Sequence, residues 1–561
     1  MSARAFPLAR SGSMALAVLA LAGVFSVLGC AAHPQAALPP AARTAMLLAI
    51  NDVYRIEGAE EGKAGGLARV RALRRELERE QPGLLVLHAG DLLYPSFASR
   101  TYNGEQMIAV LDQLDGSDAF DPRMFVTFGN HEFEKRKKKD AGILAQRVAE
   151  SQFRWLGGNV SFAPGDDGRP LVAAENVLRS AVVESGGIRI GLFGLTIPTL
   201  GVEYAEFAGP DAAARELTAK LRREGAEVVV AVTHLNAADD RALLEQLGGD
   251  GPDLIVGGHD HEKMAFQANG RWVIKADADA RTASVIRLRL DRAGHLDVTS
   301  EHRPLAAGGA PSPDRAVQAL VDRWQERHAR EFCAAQKPPA PADCLSVVYG
   351  HTRTLLEAEE NKIRGRETSL GDWVADRMLE TFAPCGAQVA FLNAGTLRLN
   401  QDLEPGSTLA RRQVEELFGF PSPLRLIRID PAILQETAEQ AVRGWPGSGT
   451  WLQIAGFAFV HDQEAKAAHG LTLLDPAGAR APRDGESILA VTNDYLINPD
   501  AGDRDGYDFL PTEEVPGCPA SGRDLKEVVV EALRKAEPDG IAPATEGRIC
   551  QPGTACRAVG R

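Results

Sequence analysis

The chain has 561 residues, of which 44% are hydrophobic and 25% charged, a composition ordinary for a soluble protein and a length too great for one compact core. The formal net charge of −14 argues against a nucleic-acid-binding protein, because such proteins neutralise phosphates with an excess of lysine and arginine. No segment indicates an obligate protein partner.

The N-terminal segment has the pattern of an export signal followed by a tether. An apolar run over residues 14–28 follows two arginines and ends in small residues directly before Cys30. This layout resembles a bacterial lipoprotein signal. We therefore expect residues 1–29 to be removed and Cys30 to carry a lipid that anchors the chain to a membrane, in the periplasm or at the cell surface. Cleavage at a nearby small residue is the alternative, and the Ala/Pro-rich residues 30–43 are typical of a tether.

Between residues 44 and 305, apolar runs alternate with helix-like stretches, which predicts a layered α/β domain. The predicted strands lie within residues 45–50, 83–90, 123–130, 187–196, 227–235 and 252–261, followed by closing strands over 271–300. The predicted helices include residues 68–80 and 241–247, where apolar and charged residues alternate with helical spacing.

A change of composition marks the boundary to a second domain. Residues 306–345 combine a Pro/Gly-rich stretch, an amphipathic helix and a Pro-rich loop, which predicts a linker. Residues 346–535 are expected to form an α+β domain, and residues 536–561 a tail.

The cysteines agree with export. Apart from Cys30 there are six, and an even number in an exported chain suggests disulfides. Two of the predicted pairs would close short loops, and the two cysteines that remain would form the third pair. Six cysteines allow 15 connectivities in all. The pairs predicted in this way are Cys333–Cys344, Cys550–Cys556 and Cys385–Cys518.

Polar side chains follow the predicted strands at the points where these end. They are Asp52, Asp91, Asn130, His131, His234, His259 and His261. Ligands of open α/β sheets collect at the carboxyl ends of strands, so we expect these side chains to share one edge. Imidazole and carboxylate are ligands for zinc, manganese or iron. One carboxylate between two ions is the arrangement that two-metal phosphoryl chemistry needs.

The order of these motifs, D-x-(H), GD, GNHE, H and GHxH, resembles that of the calcineurin-like metallophosphoesterases. The later chain is similar to the 5′-nucleotidase family, and the resemblance covers roughly residues 44–515. It implies an N-terminal layered α/β metallophosphoesterase sandwich, a second α+β substrate-binding domain and two divalent metal ions such as Mn or Zn. The implied reaction is hydrolysis of nucleoside 5′-monophosphates to nucleoside and phosphate by metal-hydroxide attack. The alternatives are a 2′,3′-cyclic phosphodiesterase or UDP-sugar hydrolase on the same site, and a nucleotide-binding lipoprotein without turnover.

The resemblance also implies roles for single residues. One metal is held by Asp52, Asp91 and His261, and the second by Asp91, Asn130, His234 and His259. His131 contacts the phosphate and stabilises charge as the leaving oxygen departs. Glu134 stands where the family has an aspartate that orients this histidine.

Two tyrosines depart from the family pattern or extend it. Tyr54 replaces the histidine of D-x-H, and three roles are open for it: a phenolate ligand, a side chain packed beside the metal, or a replacement that leaves the metal one ligand short. Tyr94, in GDLLY, either packs within its loop or resembles the tyrosinate ligand of the purple acid phosphatases.

The second domain contains segments that resemble the family's substrate-binding segments. The matching positions are Arg366 in RGRETSLGDWVAD, Asn393 and Arg398 in FLNAGTLR, Phe420 in ELFGFPSPL and Tyr507 in GDRDGYDF. By this resemblance the arginines bind phosphate, for which a guanidinium fork is suited, and the two aromatic rings stack on the faces of the base.

Overall fold

A computed structural model of the protein describes residues 42–553, except 174, 310, 446, 448, 476, 502 and 503. The predicted export signal, the lipidated Cys30, the tether up to residue 41 and Cys556 lie outside the described residues. Within the described part, no helix has both the length and the apolar character needed to cross a bilayer.

The N-terminal half is built from two large mixed sheets. Its strands are β1 (Arg43–Ile50), β2 (Leu85–His88), β3 (Met124–Thr127), β4 (Arg154–Leu156), β5 (Val160–Phe162), β6 (Val177–Leu178), β7 (Ser180–Ser185), β8 (Ile188–Thr196), β9 (Ala205–Phe207), β10 (Val228–His234), β11 (Leu254–Gly257), β12 (Met264–Ala268), β13 (Arg271–Lys275), β14 (Thr282–Leu290) and β15 (Leu296–Pro304). The first sheet has the order β15-β14-β1-β2-β3-β4-β6, and the second β12-β13-β11-β10-β8-β7.

Helices cover the outer faces of both sheets. They are α1 (Leu67–Glu80), α2 (Ser99–Tyr102), α3 (Glu105–Leu111), α4 (Ala141–Glu150), α5 (Pro210–Arg223), α6 (Ala237–Leu247) and α7 (Arg315–Ala334). One apolar cluster joins β1, β2 and β3 to β8, β10 and β11 between the sheets. A second packs α1, α3 and α4 on the first sheet, and a third packs α5 and α6 on the second. The expected layered α/β sandwich is confirmed.

The central strands are buried along their whole length. β10 has the sequence VVVAVTH and β11 has LIVG, and every residue of both is buried. Apolar and β-branched residues on both faces suit strands that are covered on both sides. β1, β2 and β3 pair in parallel, as do β8, β10 and β11. Their carboxyl ends therefore lie at common edges.

The C-terminal half is an α+β arrangement. Its strands are β16 (Val348–His351), β17 (Val389–Asn393), β18 (Thr408–Ala410), β19 (Leu424–Ile429), β20 (Leu452–Ala455), β21 (Phe457–Asp462), β22 (Ala467–Asp475), β23 (Gly478–Arg480), β24 (Ile488–Asn493) and β25 (Ile549–Cys550). Its helices are α8 (Glu360–Ile363), α9 (Ser369–Phe382), α10 (Arg411–Leu417), α11 (Pro431–Arg443), α12 (Asp494–Ile497) and α13 (Leu525–Ala536). Two four-stranded sheets have the orders β19-β24-β17-β20 and β23-β22-β21-β25.

The predicted linker contains helix α7, which packs on the N-terminal half. Val317 and Val321 are buried in the same apolar cluster as α1. Asp314 caps the helix by accepting N–H groups of its first turn, and it also pairs with Arg75 of α1 at 2.7 Å. Residues 315–334 of the predicted linker are therefore part of the packing of the N-terminal half.

Two of the predicted disulfides are confirmed. Cys333 bonds to Cys344, and Cys385 bonds to Cys518. Cys550 is also disulfide-bonded. The first bond ties the end of α7 to the start of the C-terminal half, and the second lies within that half.

Candidate metal centre and active site

Four of the predicted ligands have a backbone conformation that is rare outside glycine. The φ angles of Asp52, Asp91, His259 and His261 are 51°, 58°, 80° and 63°, all in the left-handed region. Strain of this kind costs about 1–3 kcal/mol per residue and is retained where the surroundings fix the backbone, often at functional sites. The turns after β1, β2 and β11 therefore hold these side chains in defined directions.

Asp91 lies at the centre of the cluster and is 1% exposed. Its Oδ2 atom is 3.2 Å from Nε2 of His234, and its Oδ1 atom accepts the N–H of His131 at 2.8 Å. Beside it, Oδ1 of Asp52 is 3.4 Å from Nε2 of His261. Ligand atoms of Asp52, Asp91 and His234 all lie within 4.8 Å of one another. These three buried residues form a candidate metal site.

Asn130 and His259 extend the cluster on the side of His234. The Asn130 Oδ1 atom is 3.2 Å from Nε2 of His234 and 3.1 Å from Nδ1 of His259, and the two ring nitrogens are 3.3 Å apart. His234 donates its Nδ1–H to the carbonyl oxygen of Ala89 at 2.8 Å. This bond occupies the Nδ1–H, so Nε2 is the ring nitrogen that faces the cluster.

Opposite charges are packed closely in this cluster. Burial lowers the pKa of His234, but Asp91 and Asp52 outweigh it and raise the pKa to about 10. Burial raises the pKa of Asp52, but His261 and His234 outweigh it and lower the pKa to about 2. The carboxylates are therefore ionised at neutral pH, and a cation that displaced the imidazole protons would meet oxygen and nitrogen ligands.

The hydroxyl group of Tyr54 lies among the candidate ligand atoms. It is 2.8 Å from Nε2 of His261, 3.2 Å from Oδ2 of Asp91 and 3.3 Å from Oδ1 of Asp52. Burial, together with the charges of Asp91 and Asp52, raises the pKa of Tyr54 well above its usual value near 10. Tyr94 differs, because its hydroxyl donates at 2.8 Å to Oδ1 of Asn103, which caps the end of α2.

His131 and Glu134 form a pair at the edge of the cluster. The Nδ1 atom of His131 is 2.7 Å from Oε2 of Glu134, and Nε2 is 3.9 Å from Oδ2 of Asp91. Burial raises the pKa of Glu134, but the hydrogen bond and the charge of His131 outweigh it and lower the pKa. An ionised Glu134 therefore accepts the Nδ1–H and leaves Nε2 directed towards the cluster.

Glu132 joins two ligand-bearing loops, a role that the sequence analysis missed. Its carboxylate accepts the backbone N–H groups of Asp91, Leu92, Leu93 and Gly129 at 3.0, 2.8, 3.0 and 2.6 Å. Glu132 belongs to the GNHE motif, so the sequence pointed to this residue. It did not show that the side chain is buried and accepts backbone N–H groups.

Glu360 was also missed, and it comes from the C-terminal half. Its Oε2 atom makes a hydrogen bond with Nδ1 of His261 and lies 3.3 Å from Nη2 of Arg364. No motif contains Glu360, so only the fold could place it beside a candidate ligand.

Comparisons with known proteins agree with this geometry. The family model for the calcineurin-like phosphoesterase matches residues 46–263, and that for the 5′-nucleotidase C-terminal domain matches residues 348–501. The chain belongs to the 5′-nucleotidase family of metallophosphoesterases. It is a phosphate-ester hydrolase with the two-domain α/β fold expected from its sequence.

The relatives are distant but extend over most of the chain. Mouse 5′-nucleotidase is 23% identical over 86% of this chain and 85% of its own length. The trifunctional nucleotide phosphoesterase protein YfkN of Bacillus subtilis is 23% identical over 84% of this chain, which is 33% of its own length. Among solved structures, the 5′-nucleotidase precursor of Thermus thermophilus has a TM-score of 0.74 at 21% identity, covering 91% of this chain and 100% of its own. The sulfate thiohydrolase SoxB of the same bacterium has a TM-score of 0.68 at 17% identity, with coverages of 93% and 98%.

The segments that resemble the family's substrate-binding residues lie in different surroundings. Arg366 pairs with Glu357 at 2.8 Å, and its side chain is 58% exposed. The neighbouring arginine, Arg364, is buried and reaches Glu360 instead. The structure therefore brings Arg364, and not Arg366, to the candidate metal centre, because the two side chains leave the backbone after α8 in different directions.

Arg398, another predicted residue of this half, lies beside the centre. It lines a cleft together with Tyr54 and Glu360. Its Nε donates to the carbonyl oxygen of Gly395 at 2.7 Å, whereas the buried Nη1 has no hydrogen-bond partner among the described residues. The guanidinium lies 5.8 Å from the ring centre of half-buried Phe420.

Asn393 and Tyr507 are engaged in contacts of the C-terminal half. Asn393 donates to Oδ2 of Asp505 at 2.8 Å and accepts from Thr396 at 2.7 Å. Tyr507 is 0% exposed, and its hydroxyl donates to the carbonyl oxygen of Thr450 at 2.8 Å. In this conformation neither face of the Tyr507 ring is open to a base.

Proposed function

We propose that the protein hydrolyses nucleoside 5′-monophosphates to nucleoside and phosphate with two divalent metal ions. The central observation is the position of the Asp91 carboxylate between two groups of candidate ligands. On one side is Asp52 with His261, and on the other is His234 with Asn130 and His259. A shared carboxylate of this kind suits a pair of ions.

The donor set fits manganese, zinc or a similar ion. Imidazole nitrogens and carboxylate oxygens are ligands of this class, and Tyr54 adds a phenolic oxygen among them. Two bound ions would lower the pKa of a water molecule towards ~7 and clamp the phosphate oxygens. We assign Asp52, Asp91 and His261 to one ion and Asp91, Asn130, His234 and His259 to the other.

His131 acts on the leaving group. Glu134 accepts the Nδ1–H of His131, which keeps Nε2 available for a proton or a hydrogen bond to the ester oxygen. A hydrogen bond from this ring to the ester oxygen stabilises negative charge that develops as the bond to phosphorus breaks.

Arginines of the C-terminal half bind the phosphate and the adjoining sugar. Arg398 has a buried guanidinium nitrogen free for an acceptor, and Arg364 lies beside the candidate metal centre. Phe420 is proposed to stack on the base, next to Arg398. Arg366, Asn393 and Tyr507 would take part only after a rearrangement of their present contacts.

We further propose that the protein is exported and lipid-anchored through Cys30. Disulfides form and persist in oxidising compartments, and the described bonds Cys333–Cys344 and Cys385–Cys518 fit such a location. Labelling of cells with a palmitate analogue, with Cys30→Ser as control, tests the anchor. Label on the Cys30→Ser variant would contradict it.

The experiment that tests the function is phosphate release from AMP by metal-stripped protein. Manganese, zinc, calcium and magnesium are added in turn, and His131→Ala is the control. Metal-dependent release that His131→Ala reduces by about 100-fold or more is expected, since general acid catalysis contributes 10²–10⁴-fold. No release with any metal would refute the proposal.

A phosphodiesterase or UDP-sugar hydrolase on the same site is the second candidate. One relative, the Bacillus subtilis protein, is named a trifunctional nucleotide phosphoesterase. Cyclic 2′,3′-AMP and UDP-glucose are therefore assayed beside AMP. A higher kcat/KM for either of them would favour the second candidate.

The role of Tyr54 is tested by Tyr54→His and Tyr54→Phe. If the hydroxyl is a ligand, Tyr54→Phe weakens Mn²⁺ binding in calorimetry while Tyr54→His restores it. Equal affinity of Tyr54→Phe and the wild type would show that Tyr54 only packs beside the metal.

A further inference from the structure

One candidate metal ligand is held by a residue from the other half of the chain. His261 follows β11 in the N-terminal half, whereas Glu360 begins α8 in the C-terminal half. The carboxylate of Glu360 and Nδ1 of His261 share a hydrogen bond, and both side chains are buried, at 5% and 8% exposure. This contact crosses the boundary between the two domains directly at the candidate metal centre.

We propose that Glu360 is a positioning residue that couples metal binding to the contact between the two domains. This inference rests on the proposed function only in its use of His261 as a metal ligand. A histidine ligand donates its second ring N–H to a carboxylate or carbonyl group, which orients the ring and makes the ligating nitrogen more basic. In this protein that carboxylate reaches His261 only when the domains are in contact.

Glu360 is fixed within its own domain. Its backbone N–H donates to Oδ1 of Asn400 at 3.2 Å, and its carboxylate lies 3.3 Å from Nη2 of Arg364. The preceding residue, Glu359, donates its N–H to Oδ1 of Asp402 at 3.1 Å. The side chain therefore moves with the C-terminal domain and cannot follow His261 if the domains separate.

The same segment of the C-terminal domain touches the loops behind the metal centre. Arg55 donates to the carbonyl oxygen of Leu399 at 3.1 Å, and Arg281 donates to that of Asn400 at 2.6 Å. The N–H of Glu60 donates to Oε1 of Gln401 at 2.7 Å. Residues 399–401 thus report on the contact between the domains.

A chain of bonds on the N-terminal side leads back to the centre. Asp279 accepts the backbone N–H of Tyr54 at 3.1 Å and pairs with Arg55 at 2.7 Å. Its own N–H donates to the carbonyl oxygen of Asp52 at 2.9 Å. The metal centre is therefore connected to the interface through Asp279 and Arg55 as well as through Glu360.

Coupling of this kind is reciprocal. If contact between the domains raises metal affinity by a given factor, metal binding favours the contact by the same factor. Loss of the partner carboxylate of a histidine ligand typically costs 10–100-fold in metal affinity. We expect a coupling of that size through Glu360.

The first test measures Mn²⁺ affinity of the metal-stripped full chain by calorimetry. Glu360→Gln keeps the shape of the side chain but removes its charge, and a 10–100-fold loss of affinity is expected. Glu359→Gln is the matched control, because Glu359 is adjacent and pairs with Lys362 at 2.7 Å instead of with His261. Wild-type affinity in Glu360→Gln, or an equal loss in both variants, would overturn the proposal.

A double-mutant cycle separates positioning from a general effect on folding. Glu360→Gln is combined with His261→Gln, which removes the ligand through which Glu360 is proposed to act. In the His261→Gln background, Glu360→Gln is expected to cause no further loss of Mn²⁺ affinity. The same loss in both backgrounds would show that Glu360 does not act through His261.

Hydrogen exchange tests the reverse direction. In the wild type, Mn²⁺ is expected to slow amide exchange in residues 399–401. In Glu360→Gln at equal metal saturation, this protection is expected to be 10–100-fold smaller, the same factor by which the Mn²⁺ affinity decreases. Protection that is absent in the wild type, or unchanged in the variant, would overturn the coupling. None of these measurements uses a nucleotide, so failure to hydrolyse AMP would refute the proposed function and leave this inference intact.

Discussion

Glu134 is bonded to the imidazole that we propose acts on the leaving group. Its carboxylate accepts the Nδ1–H of His131 at 2.7 Å, which orients the ring. Glu134→Gln keeps an acceptor but removes the charge, and we expect kcat for phosphate-ester hydrolysis to fall about 10–100-fold with little change in KM. Steady-state kinetics with AMP measures this effect. Glu203→Gln is the control, since Glu203 is exposed and pairs with Lys137. An unchanged kcat in Glu134→Gln would contradict the assigned role.

His88 makes stability depend on pH. It is fully buried in β2, and neither ring nitrogen has a hydrogen-bond partner among the described residues. Burial lowers its pKa from about 6.5 to about 4. As the pH falls from 6.5 towards 4, His88 is protonated in the unfolded chain but stays neutral in the folded protein. The free energy of unfolding therefore decreases over this pH range.

Replacement of His88 tests this argument. When the pH is lowered from 7 to 5.5, the free energy of unfolding is expected to decrease in the wild type. In His88→Leu this decrease is expected to be smaller by about 1 kcal/mol. Urea denaturation of metal-stripped protein measures the difference. His469→Gln, at an exposed histidine, serves as control. Identical pH dependence in His88→Leu and the wild type would show that His88 is paired in solution.

Single residues differ in how far the sequence could predict them. Asp52, Asp91, His234 and their neighbours follow apolar strands, so their shared edge could be inferred from the pattern alone. Glu360 could not be inferred, because its contact with His261 joins residues 99 positions apart through the packing of two domains. The direction of Arg364 and Arg366 was equally hidden, since both belong to one short basic segment.

At the scale of elements, Glu132 fixes two turns relative to each other. The turn after β2 and the turn after β3 both donate backbone N–H groups to its buried carboxylate. Glu132→Gln replaces one acceptor oxygen with a donor that faces these N–H groups. We expect a loss of about 2–3 kcal/mol in the free energy of unfolding, because a buried group is left unsatisfied.

Chemical denaturation of Glu132→Gln measures this loss, and Glu216→Gln is its control. Glu216 lies in α5 and pairs with Arg179, and both side chains are more than half exposed, where ion pairs contribute little. We also expect weaker Mn²⁺ binding by Glu132→Gln, because Asp91 belongs to one of the two turns. A stability equal to that of the control would show that the turns are held by other contacts.

The elements with strong apolar periodicity were the predictable ones. The predicted strands within 187–196 and 227–235 correspond to Ile188–Thr196 and Val228–His234, and helix 68–80 to Leu67–Glu80. Short strands such as Val177–Leu178 were not predicted, because two residues are too few to show the alternation of apolar and polar side chains. The amphipathic helix of the linker was predicted, but its docking on α1 depends on tertiary packing.

For the whole molecule, the two described disulfides constrain the unfolded chain to different extents. Cys385 and Cys518 are separated by 133 positions, and Cys333 and Cys344 by 11. In the loop-entropy account, the longer loop stabilises the fold by about 2 kcal/mol more than the shorter one. Of these two bonds, we therefore expect Cys385–Cys518 to contribute more to the free energy of unfolding.

Two double variants isolate the bonds, one with alanine at both Cys333 and Cys344 and the other with alanine at both Cys385 and Cys518. Each is denatured with and without reductant, so that the cost of the alanine substitutions cancels within each variant. The effect of reductant is expected to be about 2 kcal/mol larger in the variant that retains Cys385–Cys518. Equal effects would mean that the unfolded chain is already compact around this bond. A large effect would mean that reducing conditions weaken the C-terminal half, which fits a protein that folds after export.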